Sequence, residues 1–206
     1  MSLTPDISEL LARARADLRM GVPVILAEND VAILAASAET LTEQRLADLR
    51  AVADTPVVAI TARRTETLKA RSYDGDLARV IMPADADASW VQAVADPADD
   101  LNTPMKGPLM SERGGNADLH RTALTLAKAA RLLPAIVAVP VAEPAAFAAQ
   151  NGLTLINHQQ AKRHLENRSP LADVVSARLP MQVSEAGRLH VFRPEDGGEE
   201  HYAVEI

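Results

Sequence analysis

Apolar residues recur along the first part of the chain with two periods. Ile7, Leu10, Leu11, Ala14 and Leu18 fall at helical spacing, so Pro5 to Met20 reads as an amphipathic helix. Asp6 or Ser8 can cap its start, and Gly21 suits its end. Val22 to Ala27 and Val31 to Ala36 are short apolar runs, expected as two buried strands. Glu28-Asn29-Asp30 separates them as a hairpin turn. Thr40 to Ala53 reads as a helix with Leu41, Leu46, Leu49 and Val52 inward, and Thr40 with Glu43 has capping-box spacing. Pro56 to Thr61 is the next strand.

Residues 62 to 78 lose the pattern, with Thr65 to Ser72 the one helical candidate. Ala78 to Met82 reads as a strand and Ala86 to Ala95 as a helix. A loop is expected over Asp96 to Gly115, with three prolines and three glycines. Loops of that length are functional or disordered as a rule. The clearest period returns in Ala117 to Leu133, where Leu119, Ala123, Leu126, Ala127 and Ala130 share a face and Pro134 stops the helix. Strand Ala135–Val141, helix Pro144–Asn151, strand Leu153–Ile156 and helix His158–Asn167 follow. This alternation predicts a layered α/β domain over residues 1–168. Residues 169–177 read as a linker. Three short strands are expected in 178–206, at Arg178–Val183, Arg188–Phe192 and Glu200–Ile206, with turns at Gly187 and at Gly197-Gly198. About 30 residues are too few for an independent core. The tail is therefore expected either to open a second domain or to add an edge to the first sheet.

Composition narrows the chemistry. The 206 residues carry a net charge of −7, which disfavours nucleic acid as a partner. Only five aromatic residues are present, so base-stacking platforms are scarce. The absence of cysteine excludes disulfides, thiol nucleophiles and thiolate-bound zinc within these residues. No run of about 18 apolar residues suits a membrane span. The start lacks the layout of a signal peptide, so a cytoplasmic location is expected.

The phosphate loop, the dinucleotide fingerprint, H-E-x-x-H and G-x-S-x-G are all missing. No two of the five histidines stand four apart. Glu28 and Asp30 on the hairpin turn are a carboxylate pair that suits Mg²⁺, or a plain solvated turn. Arg113, Gly114, Gly115 and Asn116 run into the start of the strongest helix. Free N–H groups there, with the guanidinium, suit a phosphate; Asn116 equally suits a simple cap. Asp85 and Asp87 repeat that pattern more weakly.

Two stretches resemble a known arrangement. Gly21-Val-Pro-Val-Ile-Leu26, Ala35-Ala36, the 117–141 helix and strand, and Ala146-Phe-Ala-Ala-Gln-Asn-Gly-Leu-Thr-Leu155 are similar to 3,4-dihydroxy-2-butanone 4-phosphate synthase, in the same order. The tail, Ala177-Arg-Leu-Pro180, Phe192 and Gly198-Glu-Glu-His-Tyr-Ala-Val204, resembles the first strands of GTP cyclohydrolase II. In two-domain riboflavin proteins the two domains follow in this order. The resemblance implies an α-β-α domain with a mixed sheet and a short β tail, a homodimer, and a cyclohydrolase domain in cis. It also implies that zinc belongs to that further domain, and Mg²⁺ to this chain only if the synthase site is kept.

The departures fall on that site. The synthase family's long acidic loop D-D-E-D-R-E-N-E-G-D is reduced here to Glu28-Asn29-Asp30. Its metal-binding G-H-T-E corresponds to Gly115-Asn116-Ala117-Asp118, with an amide for the imidazole. The catalytic Glu ending the next strand is absent from Ala138-Val-Pro-Val-Ala142, and Glu143 is offset. G-I-S-A-x-D-R is matched only loosely by Ala84 to Ser89. The family reaction rearranges ribulose 5-phosphate and expels formate, and its proton transfers need placed carboxylates and a Lewis acid. The expectation is a catalytically silent domain serving dimerisation or regulation. Two alternatives stay open. One is an active lyase with Glu28, Asp30 and Asp118 on Mg²⁺ and Arg113 on the phosphate. The other is a small-anion binding module at residues 113–118.

Overall fold

The computed structural model describes residues 3–98, 100–104, 106–166, 171–194 and 198–206. The chain divides into two compact units, Met1–Leu165 and Glu166–Ile206.

The first unit is built on a six-stranded mixed sheet. Its strands are β1 (Val24–Glu28), β2 (Val31–Ser37), β3 (Val57–Thr61), β4 (Leu77–Ile81), β5 (Ala135–Pro140) and β6 (Leu155–Asn157). They lie in the order β4-β3-β5-β2-β1-β6. Every pairing is antiparallel except β1 with β6. Because side chains alternate along a strand, each strand feeds two cores. Ile25, Leu34, Val58, Ile60, Val80 and Val137 face one side, packed with Leu46 and Leu49 of α2 (Glu43–Val52) and Val91 and Val94 of α4 (Ala88–Ala95). Leu26, Ile33, Ala59, Ile136 and Ala138 face the other. They pack with Leu11, Ala14 and Leu18 of α1 (Ile7–Arg19), Leu119, Ala123 and Leu126 of α5 (Asp118–Ala129), and Ala161 of α7 (His158–Glu166). The layers are the α-β-α arrangement expected. The remaining helices are α3 (Ala62–Thr67) and α6 (Pro144–Asn151).

Several local expectations need correction. The α2 cap is Thr42, whose hydroxyl accepts from the Arg45 N–H at 3.2 Å. Thr40 instead donates to the Leu18 carbonyl, and Glu43 accepts from the Ala88 N–H at 2.8 Å, so the capping box does not form. The first ambiguous helix lies earlier, in α3, because Thr61 caps it directly off β3. The described residues of the 96–115 stretch are irregular but held by specific contacts. Ile81 N–H donates to Met110 O at 2.7 Å and Glu112 N–H to Arg79 O at 2.8 Å, so residues 110–112 run beside edge strand β4. Arg64 holds the earlier part, donating to the carbonyls of Ala93, Val94 and Asp96 and pairing with Asp100.

The second unit is a separate three-stranded antiparallel sheet, so the tail does not extend the first one. Its strands are β7 (Leu171–Arg178), β8 (Arg188–Pro194) and β9 (His201–Glu205). The expected linker at 169–177 is therefore strand from Leu171 onward, and 169–170 lie outside the described residues. The first tail strand ends where it was expected to begin, because Arg178 pairs with Arg188 and the chain then turns. Cross-strand pairing along β8 overrides the polar Asp173 and Ser176, and a bulge between Asp173 and Val175 absorbs the mismatch. Gly197 and Asn167 also lie outside the described residues.

Candidate functional site

The parallel pairing of β1 with β6 sets Ala27 beside Asn157. The residues that follow, Glu28 and His158, are thereby brought together. One Glu28 carboxylate oxygen lies 3.9 Å from His158 Nε2, and the other accepts from Gln159 Nε2. His158 is buried, and its Nδ1 meets Thr122 Oγ1 of α5 at 3.0 Å. Glu28 is thus tied into a constellation of His158, Gln159 and Thr122 that sequence reasoning missed. The signal was a strand end in contact with another far along the chain, which no local pattern carries. Asp30 is exposed at the turn, beside Asn29 at φ 51°, a left-handed conformation Asn tolerates.

The start of α5 is organised differently. Its N-cap, Ala117, has no side-chain cap bond, and Asn116 Oδ1 accepts from the Asp118 N–H at 2.7 Å. Asp118 forms an ion pair with Arg121, which also grips Asp76 in a two-bond fork at 2.7 Å. That pairing holds the Asp76 carboxyl below its usual range and raises the Arg121 guanidinium. The preceding turn is held by Arg79 of β4. Arg79 forks onto Asp74 at 3.0 Å, donates to Glu112 at 2.6 Å, and donates to Gly114 O at 2.7 Å. Gly115, at φ 82°, makes the left-handed step into the helix. Arg113 lies 5.5 Å over the ring of Tyr73. Asp87 is the N-cap of α4, accepting from the Trp90 N–H at 2.8 Å. Glu143 follows β5 in a left-handed conformation, exposed.

The structure therefore does not gather the candidate metal ligands. Glu28 accepts from Gln159, Asp118 pairs with Arg121, and Asp30 stands exposed at the turn. Among the described residues no three His, Asp or Glu side chains are grouped to hold a metal ion. The donor set does not fit a Mg²⁺ centre, since two of the three carboxylates already have partners. Among the described residues no helix is long and apolar enough to cross a membrane.

No family model matches the chain. It is 32% identical over 201 residues to a protein described as GTP cyclohydrolase-2 from Azospirillum brasilense. That match covers 93% of this chain and 52% of the relative, so the chain spans about half of the relative's length. The fold is that of 3,4-dihydroxy-2-butanone 4-phosphate synthases. A two-domain synthase from A. baumannii superposes with a TM-score of 0.58 at 14% identity, covering 94% of this chain and 69% of that one. The Candida albicans enzyme superposes with a TM-score of 0.56 at 16% identity, covering 75% of this chain and 96% of that one. A synthase in complex with two magnesium ions gives 0.56 at 15% identity, covering 75% and 95%.

Proposed function

We propose that this chain, a relative of a GTP cyclohydrolase-2 built on the synthase fold, is the catalytically degenerate synthase-like part of a GTP cyclohydrolase II type riboflavin protein. Its role in that reading is to dimerise and to support or regulate a cyclohydrolase domain joined to it in cis. Magnesium has no assigned place, and zinc belongs to the cyclohydrolase domain. The setting is the cytoplasm.

One observation carries the reading. The carboxylates at the positions resembling the synthase site are engaged in internal contacts, Glu28 accepting from Gln159 and Asp118 paired with Arg121. A base or metal ligand for the ribulose 5-phosphate rearrangement needs free, convergent carboxylates. The acidic loop that supplies them in the resembling family is here a two-residue turn, with Glu28 opposite Val31.

The test is formate release from ribulose 5-phosphate by the purified chain, with and without Mg²⁺, beside an active synthase. No formate above background is expected. Metal-dependent formate overturns the reading and makes Glu28, Asp30 and Asp118 the residues to substitute. Sedimentation of the same sample is expected to give twice the 22.0 kDa chain mass. A monomer at micromolar concentration removes the dimerisation role.

A further inference from the structure

Beside the outer edge of β4, the segment 107–113 and the connection 68–73 line an open-mouthed cavity of about 410 Å³. That lies within the roughly 300–1,000 Å³ typical of small-molecule sites. Its walls carry three cations, Lys69, Arg71 and Arg113, and no carboxylate. This is unusual for a chain of net charge −7. It is also unlike the neighbouring cations, since Arg64, Arg79, Lys106 and Arg121 all have carboxylate partners. Among the described residues none of the three lining cations has an ion pair. Unpaired like charges converging on a concavity repel one another and raise the local potential for an anion.

Two of the three are positioned by local features of the fold. Lys69 has a left-handed φ of 55°, set by the end of α3, where its N–H donates to Glu66 O and the Ala70 N–H donates to Thr65 O. Arg113 lies over Tyr73, so its guanidinium is fixed by the ring. The 110–112 strand-like pairing with β4 fixes the opposite wall. That wall is apolar, with Pro108, Leu109 and an exposed Met110, and Leu68 continues it. Ser111 also lines the cavity, and its hydroxyl is buried without a hydrogen-bond partner among the described residues.

We propose that this cavity binds a small phosphate-bearing molecule with an aromatic or apolar body. Lys69, Arg71 and Arg113 take the phosphate oxygens, and the body lies against Leu68, Pro108, Leu109 and Met110. The arginines suit phosphate oxygens in paired bonds, and Lys69 adds a point charge. The cavity includes none of Glu28, Asp30, Asn116, Asp118 or His158. It therefore stands or falls apart from the function proposed above.

The test is calorimetric titration of the full chain with AMP, adenosine and inorganic phosphate at low and at 0.5 M salt. AMP is expected to bind at sub-millimolar concentration, with adenosine and inorganic phosphate each about tenfold weaker or more. Added salt is expected to weaken AMP, because exposed charges are screened. Arg71→Ala and Lys69→Ala are each expected to weaken AMP about tenfold, and Met110→Ser to weaken AMP but not inorganic phosphate. All three side chains are exposed, and an unchanged melting curve confirms that the variants fold. No AMP binding, or binding that survives the double variant K69A/R71A, overturns the proposal. Equal binding of adenosine removes the phosphate from it, and equal binding of inorganic phosphate removes the body.

Discussion

Arg79 is a guanidinium on an edge strand, 4% exposed, and it is tolerable there only because it is saturated. Asp74, Glu112 and the Gly114 carbonyl accept from it, which joins the 74–76 turn to the approach to α5. His120, in the first turn of α5, is buried with Nδ1 unpartnered among the described residues. Burial first, and then the Arg79 charge, push the His120 pKa down to about 4 from an ordinary 6.5. Between those values the unfolded chain carries a proton that the folded chain does not. Stability therefore falls as pH drops from 6.5 toward 4, by on the order of 3 kcal/mol at the lower end. Chemical denaturation at a series of pH values is expected to show that slope, and His120→Leu is expected to flatten it. An unchanged slope in the variant would show that other groups set the acid limit.

At the scale of elements, Gly187 makes a sharp demand. A Cβ there would strike the Leu179 carbonyl oxygen and crowd the Met181 side chain at 2.8 Å. That carbonyl belongs to the turn in which the Leu179 N–H donates to Gly187 O at 2.7 Å. Gly187→Ala is expected to open the β7–β8 connection. Amide exchange in β7 and β8 should then rise at least about tenfold, with α5 and the six-stranded sheet unaffected. Protection of β7 unchanged in the variant would show that the turn relaxes at no cost. Elements with an amphipathic period, such as α1 and α5, were legible from spacing alone because one face of each meets a core. Strand β7 was not, because Asp173 and Ser176 read as linker and only the partner strand selects the extended form. The α2 cap was misplaced for a similar reason: Thr40 and Thr42 both suit the role, and the contact of Thr40 with Leu18 decides between them. In the candidate site, Glu28 and Arg113 could be singled out as chemical types. Their true neighbours, His158 and Tyr73, come from elsewhere in the fold. Lys69 and Arg71 lay in the stretch with no period at all, so nothing local marked them.

The whole molecule divides its apolar burial unevenly. Among the described residues every buried Ala, Val, Leu, Ile and Met lies at or before Ala161, nearly all in the two cores flanking the six-stranded sheet. Among its described residues the second unit has no comparable core. Leu171, Val174, Val175, Tyr202, Val204 and Ile206 are all exposed, and its strands are held by edge-to-edge pairing and by surface pairs such as His190 with Glu205 and Arg193 with Glu200. Three strands without a buried face are marginal in water, and solvent-screened surface ion pairs add little to them. Residues 1–165 alone are therefore expected to unfold cooperatively, with a melting temperature within a few degrees of the full chain. The 166–206 segment alone is expected to give no cooperative transition, with residual β7–β8 amide protection far below that of the six-stranded sheet. A drop of more than about 10 °C on truncation, which at this size corresponds to several kcal/mol, would show that the tail completes the first unit's stability. A near-zero change would leave the tail as a set of strands whose apolar surface is available to further chain. The cyclohydrolase reading requires that availability.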